Sequence, residues 1–258
     1  MKPKICVLRT GGTNCDEETA YAFEVAGGAP ERVHVNELRS GAKKLSDFQL
    51  LCIPGGFSYG DHIASGKILA TELITFFSDE LKEFVSKGKP ILGICNGLQV
   101  LVRTGLLPFG KLGKMRANLL HNMSGRFECR WVRLRIEKTD CVFTRDMPEF
   151  IELPVANGEG RVWAEAENLD LLDKANLVVS RYVSDQELFW TNSYPANPST
   201  SLHGIAGIQD ASGRIMALMP HPERFLDPLS HPNWRRNGNS VPYGLKIFQN
   251  GVRAAAEL

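Results

Sequence analysis

The sequence predicts an α/β fold with a mostly parallel central sheet flanked by helices and an antiparallel extension. In the first half, short apolar runs of strand character alternate with stretches of helical character. Strands that alternate with helices form right-handed crossovers, and hence a parallel sheet that is covered on both faces. In the second half, apolar and polar residues begin to alternate one by one, which is typical of antiparallel strands with one wet face.

The first half supplies the parallel strands and the helices that cover them. Buried strands are predicted at residues 5–8, 33–35, 50–53 and 91–94, and helices at residues 16–26, 66–77, 79–87 and 96–104. Asp16 is suited to the start of the first helix, as its cap or in its first turn, and the pair Gly27 and Gly28 is suited to its end.

The second half supplies the antiparallel extension. Over residues 126–136, apolar Phe127, Cys129 and Trp131 alternate with charged residues, which predicts a strand. Further strands are predicted at residues 177–183, 205–209 and 214–219, a long surface loop at residues 227–242 and a closing amphipathic helix at residues 243–256. Gly213 permits a hairpin turn between the last two strands. We expect a single domain over residues 1–258, because no repeat or clear linker interrupts the pattern.

Charge and hydropathy exclude several classes of function. The formal net charge of the 258 residues is +1, so composition gives no basic surface for nucleic acid or for an acidic membrane. The apolar run before Arg9 is too short for a secretory signal, and the longest uncharged apolar stretch, residues 90–102, is too short to span a bilayer. We therefore expect a cytoplasmic protein without nucleic-acid or membrane partners.

The cysteines do not predict a metal site. They are Cys6, Cys15, Cys52, Cys95, Cys129 and Cys141, and they lack the paired spacing that metal sites and disulfide frameworks show. In a reducing compartment, free cysteines pack as small buried hydrophobes. We expect this of each cysteine that has no catalytic context.

One cysteine lies in a context that favours catalysis. Cys95 follows an apolar run, opens a predicted helix and has Gly93 and Gly97 two residues to either side. This is the cysteine version of the nucleophile elbow, a sharp strand-to-helix turn where bulky neighbours would collide. The turn sets the sulfur at a helix N-terminus, whose dipole favours the nucleophilic thiolate. On this segment alone, a buried cysteine beside a glycine-rich turn is an equal alternative.

A histidine and a glutamate complete the predicted site. His221 and Glu223 follow the last predicted strand, and side chains two residues apart in extended backbone point the same way. Pro220 and Pro222 bias the segment away from helix. His221 would accept the proton of Cys95, while Glu223 would fix the imidazole tautomer and stabilise its charged form. A histidine beside proline is usually structural, but pairing with an elbow cysteine favours catalysis.

A glycine-rich turn supplies candidate hydrogen-bond donors. Residues 53–61 continue directly from a predicted strand, and attack on an amide carbonyl creates an oxyanion that needs such donors. The backbone N–H groups of Gly56 and Asn96 are the natural pair, because Asn96 follows the nucleophile. A phosphate-binding Walker loop is excluded, because residues 60–68 have one residue too many between their glycines and no Ser or Thr after Lys67.

These segments resemble those of the class I (triad) glutamine amidotransferases, and within that family the PurQ-type glutaminase subunits of phosphoribosylformylglycinamidine synthase. The resemblance runs nearly end to end, through residues 13–16, 54–61, 93–99, 124–131, 153–160, 194–198 and 220–224. The segment 124–131 is more diagnostic than the elbow, because other amidotransferases lack it. The resemblance implies the flavodoxin-like fold of class I glutamine amidotransferases.

The resemblance also implies a reaction and its site. Cys95, His221 and Glu223 would form the triad, Gln99 and Gly158 would help to hold glutamine, and no metal is implied. Glutamine would be hydrolysed to glutamate and ammonia through a thioester on Cys95. Ammonia would pass to a separate PurL-type synthetase subunit that binds ATP and Mg, and a small PurS-type subunit often bridges the two. No cofactor is expected on this chain.

Two departures from the family pattern stand out. Asn157 takes the place of a usual histidine, although it keeps hydrogen-bonding capacity. Residues 229–241 form a longer stretch than in the shortest members. One interpretation of that stretch is a solvated loop. The other is contact with the synthetase, because Trp234, Arg235 and Arg236 are residue types favoured at interface hot spots.

Three other functions fit parts of the pattern. A glutaminase that feeds a synthetase of GMP or anthranilate would lack the segment 124–131. A hydrolase or chaperone-like protein of the cysteine-elbow type would lack His221 and Glu223 at their spacing. A catalytically silent module that regulates a synthetase would not need the complete set of cysteine, histidine and glutamate.

Overall fold

The computed structural model describes residues 2–184, 189–236 and 241–258. Its strands are β1 (Lys4–Arg9), β2 (Ala29–His34), β3 (Leu50–Ile53), β4 (Ile91–Ile94), β5 (Asn118–Leu120), β6 (Glu128–Ile136), β7 (Phe150–Asn157), β8 (Arg161–Trp163), β9 (Val178–Tyr182), β10 (Ile205–Gln209) and β11 (Ile215–Leu218). Its helices are α1 (Asp16–Val25), α2 (Val35–Arg39), α3 (Lys67–Phe76), α4 (Ser78–Ser86), α5 (Asn96–Thr104), α6 (Ala166–Lys174) and α7 (Tyr243–Ala256).

The central sheet of the described residues has nine strands in the order β2-β1-β3-β4-β11-β10-β9-β6-β7. Neighbours from β2 to β11 pair in parallel, and neighbours from β11 to β7 pair antiparallel. Strands β5 and β8 form a separate antiparallel pair. The predicted parallel sheet with an antiparallel extension is therefore confirmed, and β11 is the strand at which the two parts meet.

Crossover connections distribute the helices over both faces of the parallel part. From β1 the chain moves outward to β2 through α1, and from β3 it moves in the opposite direction to β4 through α3 and α4. Crossovers between parallel strands are right-handed as a rule, so two that run in opposite directions cover opposite faces of the sheet. Helix α1 packs on α7 through Phe23 and Phe248, whose ring centroids lie 4.8 Å apart edge to face.

Burial along the strands follows from these layers. Every residue of β3, β4 and β11 is buried, which explains their uninterrupted apolar sequences. In β7, buried residues alternate with residues that are partly or wholly exposed, as expected of an antiparallel strand with one wet face. Strands β3, β4 and β11 are therefore covered on both faces, whereas β7 has one face that is partly open to solvent.

The second strand departs most from its predicted bounds. It was predicted at residues 33–35, whereas β2 runs from Ala29 to His34 and Val35 begins α2. His34 caps that helix: its Nδ1 accepts the N–H of Asn36, and the carboxylate of Glu37 accepts the N–H of His34. This reciprocal capping box stabilises a helix start that strand propensity alone does not predict.

Several elements have no counterpart in the sequence prediction, namely α2, α6, β5, β7 and β8. Strand β7 has Pro154 in its middle, which argues against a central strand. Pro154 lies opposite Trp131 of β6, and β7 is the edge strand of the sheet. Proline is tolerated at an edge because its missing N–H is not needed by a further strand.

The predicted hairpin between β10 and β11 is confirmed. Gly213 has a φ of +68°, and its N–H donates to the carbonyl of Asp210 at 3.1 Å. The predicted surface loop at residues 227–242 falls partly outside the described residues, which stop at Arg236 and resume at Val241. Over the described ranges, no helix has the length and apolarity needed to cross a bilayer.

Candidate active site

A cavity of about 410 Å³ lies where the carboxyl ends of the parallel strands meet. Gly56, Cys95 and His221, which follow β3, β4 and β11, all line it. These strands are parallel neighbours, so their carboxyl ends share one edge of the sheet. Gln99 and Gly158 line the same cavity. The sheet topology thus brings together residues that are far apart in the sequence.

Cys95 lies in strained backbone between β4 and α5. Its φ is +50°, a region that a non-glycine residue occupies at a cost of about 1–3 kcal/mol. Its N–H donates to the carbonyl of Leu218 in β11 at 2.8 Å, which ties the turn to the neighbouring strand. The side chain is 6% exposed and lines the cavity. The thiol is therefore sheltered from bulk water but open to a small substrate.

Close packing requires the glycines around this turn. A Cβ on Gly97 would lie 1.9 Å from the carbonyl oxygen of Ile53, and a Cβ on Gly93 would lie 2.7 Å from Leu101 Cδ1. Contacts this short are repulsive, so only glycine lets α5 approach β3. The turn has the strand-to-helix geometry that the sequence predicts.

His221 and Glu223 form a buried pair beside this turn. The Nδ1 of His221 lies 2.5 Å from Glu223 Oε1, and both residues are buried. The predicted extended conformation is correct only for His221, because Pro222–Arg224 form a turn of 3-10 helix. The turn, rather than alternation along a strand, brings the carboxylate to the imidazole.

The surroundings of His221 favour its charged form. Burial lowers the pKa of the imidazole, but the carboxylate of Glu223 and the neighbouring sulfur of Cys95 outweigh burial and set the pKa well above its usual value. The neighbouring thiol of Cys15 raises the pKa of the imidazole as well. The ring therefore lies between one carboxylate and two thiol groups, where it is suited to hold a proton and pass it on.

The two predicted oxyanion donors lie in adjoining turns. Gly56 has a φ of +137°, and a Cβ there would lie 2.7 Å from the backbone nitrogen of Asn14. Asn96 is the first residue of α5, and its side-chain oxygen accepts the N–H of Ser58 at 3.2 Å. This bond joins the glycine-rich turn after β3 to the turn that carries Cys95.

The side-chain amide of Gln99 forms hydrogen bonds within the protein. Its Nε2 donates to the carbonyl of Glu159 at 2.7 Å, and its Oε1 accepts from Asn96 Nδ2 at 2.7 Å. Gln99 is therefore part of the cavity wall with both polar atoms occupied. At Gly158 the nearest atom to an added Cβ would be Phe127 Cδ2 at 3.9 Å. Glycine at that position leaves open space in the cavity.

Asn157, the residue that departs from the family pattern, joins two turns that border the cavity. Its Nδ2 donates to Asn122 Oδ1 at 3.0 Å. In return, Asn122 Nδ2 donates to the carbonyl of Asn157 at 2.7 Å and to that of Arg126 at 3.0 Å. Both asparagines are buried. This paired arrangement fixes the end of β7 against the turn that precedes β6.

Two cavity-lining residues carry chemistry that the sequence prediction does not assign. The Sγ of Cys15 lies 3.4 Å from Arg224 Nη2. Asp61 accepts a hydrogen bond from Asn96 Nδ2 at 3.2 Å, and burial raises the pKa of its carboxyl. Each lies in a segment that carries the family resemblance, which is the one signal in the sequence that points to it.

The other cysteines follow the prediction with one exception. Cys6, Cys52 and Cys141 are buried free thiols, and burial raises the pKa of each, so they stay protonated. Cys129 is exposed and lines the cavity. The expectation that it is buried is wrong, because its position in β6 faces the opening rather than the core.

Comparison with known proteins identifies relatives of this chain. The profile of the CobB/CobQ-like glutamine amidotransferase domain matches residues 2–253. The phosphoribosylformylglycinamidine synthase subunit PurQ of Dehalococcoides mccartyi is 46% identical over 259 residues, which cover 100% of this chain and 99% of the relative. The same subunit of Thermus thermophilus is 37% identical, over 96% of this chain and 98% of the relative.

Solved structures have the same architecture. The structure of PurLQS from Thermotoga maritima matches with a TM-score of 0.75 at 34% identity, over 98% of this chain and 99% of the matched chain. The glutaminase domain of CTPS from Trypanosoma brucei, with bound acivicin, matches with a TM-score of 0.59 at 14% identity, over 99% and 94% of the two chains. The second likeness shows the fold alone.

Proposed function

This chain belongs to the CobB/CobQ-like glutamine amidotransferase family, and from that membership we propose that it is the PurQ-type glutaminase subunit of phosphoribosylformylglycinamidine synthase. Identity of 46% to the PurQ subunit of D. mccartyi, along the whole of both chains, supports this narrower assignment. The family match over residues 2–253 also supports a single domain. The observation that carries the proposal is the meeting of the Cys95 turn and the His221–Glu223 pair at one edge of the sheet.

The proposed reaction is the hydrolysis of glutamine to glutamate and ammonia. The thiolate of Cys95 attacks the side-chain amide carbon, and the tetrahedral intermediate expels the nitrogen, leaving a γ-glutamyl thioester. His221, as imidazolium, gives its proton to the departing nitrogen. Water then attacks the thioester with His221 as the base, which frees glutamate and restores the thiolate. Glu223 orients the ring and stabilises its charged form.

The backbone N–H groups of Gly56 and Asn96 are the proposed donors to the oxyanion. Each belongs to a turn that is held in place before substrate binds, by the Ser58–Asn96 bond and by close packing at Gly56. Donors that are already oriented need no reorganisation as charge develops on the oxygen. Removing one such donor typically costs about 2.7–4 kcal/mol of transition-state stabilisation.

The cavity suits a single amino acid. Its volume of about 410 Å³ lies near the lower end of the range of small-molecule sites. Asp61 and Glu159 both line it, which makes part of the wall acidic and suited to the α-ammonium group of glutamine. We assign Gln99 an indirect role in binding, because its amide fixes Asn96 and the backbone of Glu159. Gly158 contributes space.

We assign the synthetase half of the reaction to a PurL-type partner. The T. maritima relative belongs to the structure of PurLQS, which supports that partner for this chain. ATP and Mg are proposed to act on the partner, with no cofactor on this chain. A small PurS-type subunit is proposed as the third component, and the complex is proposed to work in the cytoplasm.

The stretch at residues 229–241 is the proposed contact with the synthetase. The described part is anchored by His231, which is 3% exposed. Its ring centroid lies 4.5 Å from that of Trp131 and 5.8 Å from that of Phe225. Its Nε2 also lies 3.0 Å from Glu152 Oε2. The anchor fixes one end of the stretch to β6 and to the turn after Glu223.

Beyond this anchor, Trp234, Arg235 and Arg236 are exposed to solvent. Trp234 is 41% exposed, and the guanidinium of Arg235 lies 5.0 Å from the centroid of its ring. Tryptophan and arginine are the residue types most enriched among binding hot spots. An exposed pair of this kind on an anchored segment fits a partner surface better than it fits a solvated loop.

A glutaminase assay tests the proposed function. Glutamate release from glutamine is followed for the chain alone and with PurL-type and PurS-type subunits. We expect slow release alone, faster release with the partners, and none from Cys95→Ala. Cys129→Ala is the matched control, since it removes an exposed thiol of the same cavity.

The complex separates the two half-reactions. With Cys95→Ala, the complex should still form the amidine product from added ammonia, because only the glutaminase half is disabled. Full glutamine-dependent activity of Cys95→Ala would contradict the proposed nucleophile. Glutamine hydrolysis without stimulation by PurL-type and PurS-type subunits would contradict the proposed partner.

A further inference from the structure

Metal-ligating side chains converge around the catalytic histidine. Cys15, Glu18, His221 and Glu223 each offer one ligand atom, and these atoms all lie within 4.8 Å of one another. Thiolate, imidazole and carboxylate are the ligands of Zn²⁺, which holds four donors at about 2.0–2.3 Å. Tetrahedral donors at such distances are roughly 3.3–3.8 Å apart. Side-chain movements of an ångström or so would therefore close the cluster around an ion.

Two buried atoms of this cluster have no hydrogen-bond partner in the described part of the chain. They are His221 Nε2 and Glu223 Oε2, and the two residues are only 1% and 3% exposed. Buried polar atoms are almost always paired. The remaining atoms of the two groups, His221 Nδ1 and Glu223 Oε1, bond to each other. Glu223 Oε2 is therefore open to an ion, and His221 Nε2 is open both to an ion and to the proton that the proposed reaction moves.

The cluster already accommodates a positive charge. Arg224 Nη2 lies 3.4 Å from Cys15 Sγ and 3.1 Å from Glu18 Oε1. The side chain of Arg224 is 35% exposed, so it can turn toward solvent when another cation takes its place. The guanidinium and a metal ion would compete for the same sulfur and carboxylate.

We propose that Cys15, Glu18, His221 and Glu223 form an inhibitory site for a thiophilic divalent metal ion such as Zn²⁺. Binding displaces the proton of the Cys15 thiol, so affinity falls as pH falls. The bound ion engages the imidazole and the carboxylate that the reaction needs, so hydrolysis stops until the ion leaves. The proposal that a metal ion binds depends only on this cluster. The proposal that the ion inhibits the reaction depends on the proposed glutaminase function.

Cobalt binding tests the site without any assay of activity. Thiolate ligation gives Co²⁺ an intense near-ultraviolet charge-transfer band, and the parent protein is Cys95→Ala, so that the catalytic thiol cannot contribute. We expect the band in the parent and after addition of Cys129→Ser, a control at an exposed thiol of the same cavity. We expect its loss after addition of Cys15→Ser. A band that survives Cys15→Ser, or that disappears with Cys129→Ser, would overturn the proposal.

Two more variants guard against a fault in folding. Far-ultraviolet circular dichroism checks that each variant is folded. Glu18 is a partly exposed ligand, so Glu18→Gln should disturb the fold less than a change at a buried ligand does. We expect Glu18→Gln to weaken cobalt binding by about ten-fold or more. Arg224→Gln should strengthen it, because the competing cation is gone. Unchanged affinity in both variants would exclude this ligand set.

Inhibition supplies the second test. Glutamine hydrolysis should fall on addition of Zn²⁺ and return with EDTA. Relative to its own metal-free rate, Cys15→Ser should need about ten-fold or more Zn²⁺ for the same inhibition, while Cys129→Ser responds as the wild type does. Equal sensitivity of Cys15→Ser would overturn the proposal, because the ion would then be acting at Cys95. Absence of hydrolysis in every preparation would instead contradict the proposed function, and the cobalt spectra would still decide the metal site.

Discussion

Replacing Glu223 with glutamine removes a charge from beside His221 while keeping the size of the side chain. Glu223 Oε1 lies 2.5 Å from His221 Nδ1. Burial lowers the pKa of the imidazole, and Glu223 is the largest of the influences that raise it. The raised pKa keeps the imidazolium form populated to higher pH. In Glu223→Gln the pKa is lower, so His221 loses its proton at a lower pH.

The size of the effect follows from the lost hydrogen bond. A hydrogen bond to a charged group contributes about 1.5–3 kcal/mol. Solvent does not weaken this one, because His221 is 1% and Glu223 3% exposed. That free energy changes the ratio of imidazolium to imidazole by about 10- to 150-fold. Since the imidazolium gives the proton to the departing nitrogen, kcat/KM should fall by about ten-fold or more at mildly alkaline pH, and less at acidic pH.

The assay is the pH profile of kcat/KM for glutamine hydrolysis by the complex. In Glu223→Gln the alkaline limb should move to lower pH. Glu152→Gln is the matched control, because it makes the same change at another His–Glu contact, 3.0 Å from His231, away from the cavity. Its alkaline limb should stay in place. An unmoved limb in Glu223→Gln, with circular dichroism unchanged, would refute the electrostatic role of the carboxylate.

Three further predictions concern packing, the pocket and the loop. Gly97→Ala sets a Cβ 1.9 Å from a carbonyl oxygen of β3 and should destabilise the fold by about 1–3 kcal/mol, seen as a lower Tm. Gly158→Ala, with 3.9 Å of clearance, should leave Tm unchanged, and equal Tm values for the two variants would contradict the packing argument. Gln99→Ala removes two hydrogen bonds of 2.7 Å and should raise KM for glutamine by about ten-fold; steady-state kinetics that show a loss in kcat alone would contradict this. Trp234→Ala should weaken binding of the synthetase by about 2 kcal/mol in calorimetry, with the hydrolysis rate of the isolated chain unchanged; unaltered affinity would assign the loop to solvent.

Local patterns in the sequence predict the part of the fold that holds the cavity. The uninterrupted apolar runs at residues 50–53 and 91–94 predict buried strands, and β3 and β4 occupy those positions. The prediction succeeds because a strand covered on both faces must be apolar throughout. The glycines around Cys95 predict a tight turn for an equally local reason, since only glycine leaves room for the backbone contacts at the elbow.

Local sequence patterns do not predict elements whose stability depends on tertiary contacts. Pro154 argues against a strand, yet β7 forms because it lies at the edge of the sheet and pairs with β6 on one side only. Pro222–Arg224 form a turn instead of extended backbone. The pairing of His221 with Glu223 was predictable from their spacing, but the backbone conformation that produces it was not.

By itself, the sequence determined which chemical groups this protein has available: a cysteine between spaced glycines, a histidine with a glutamate two residues on, and a glycine-rich turn after a strand. Only the tertiary structure decided how those groups meet. It shows that the amide of Gln99 is occupied by Asn96 and by the backbone of Glu159, and that Cys15 lies against the same imidazole as Cys95. The physical reason is that residue types and their spacing specify local backbone geometry. Contacts between distant segments depend instead on how helices and strands pack in three dimensions.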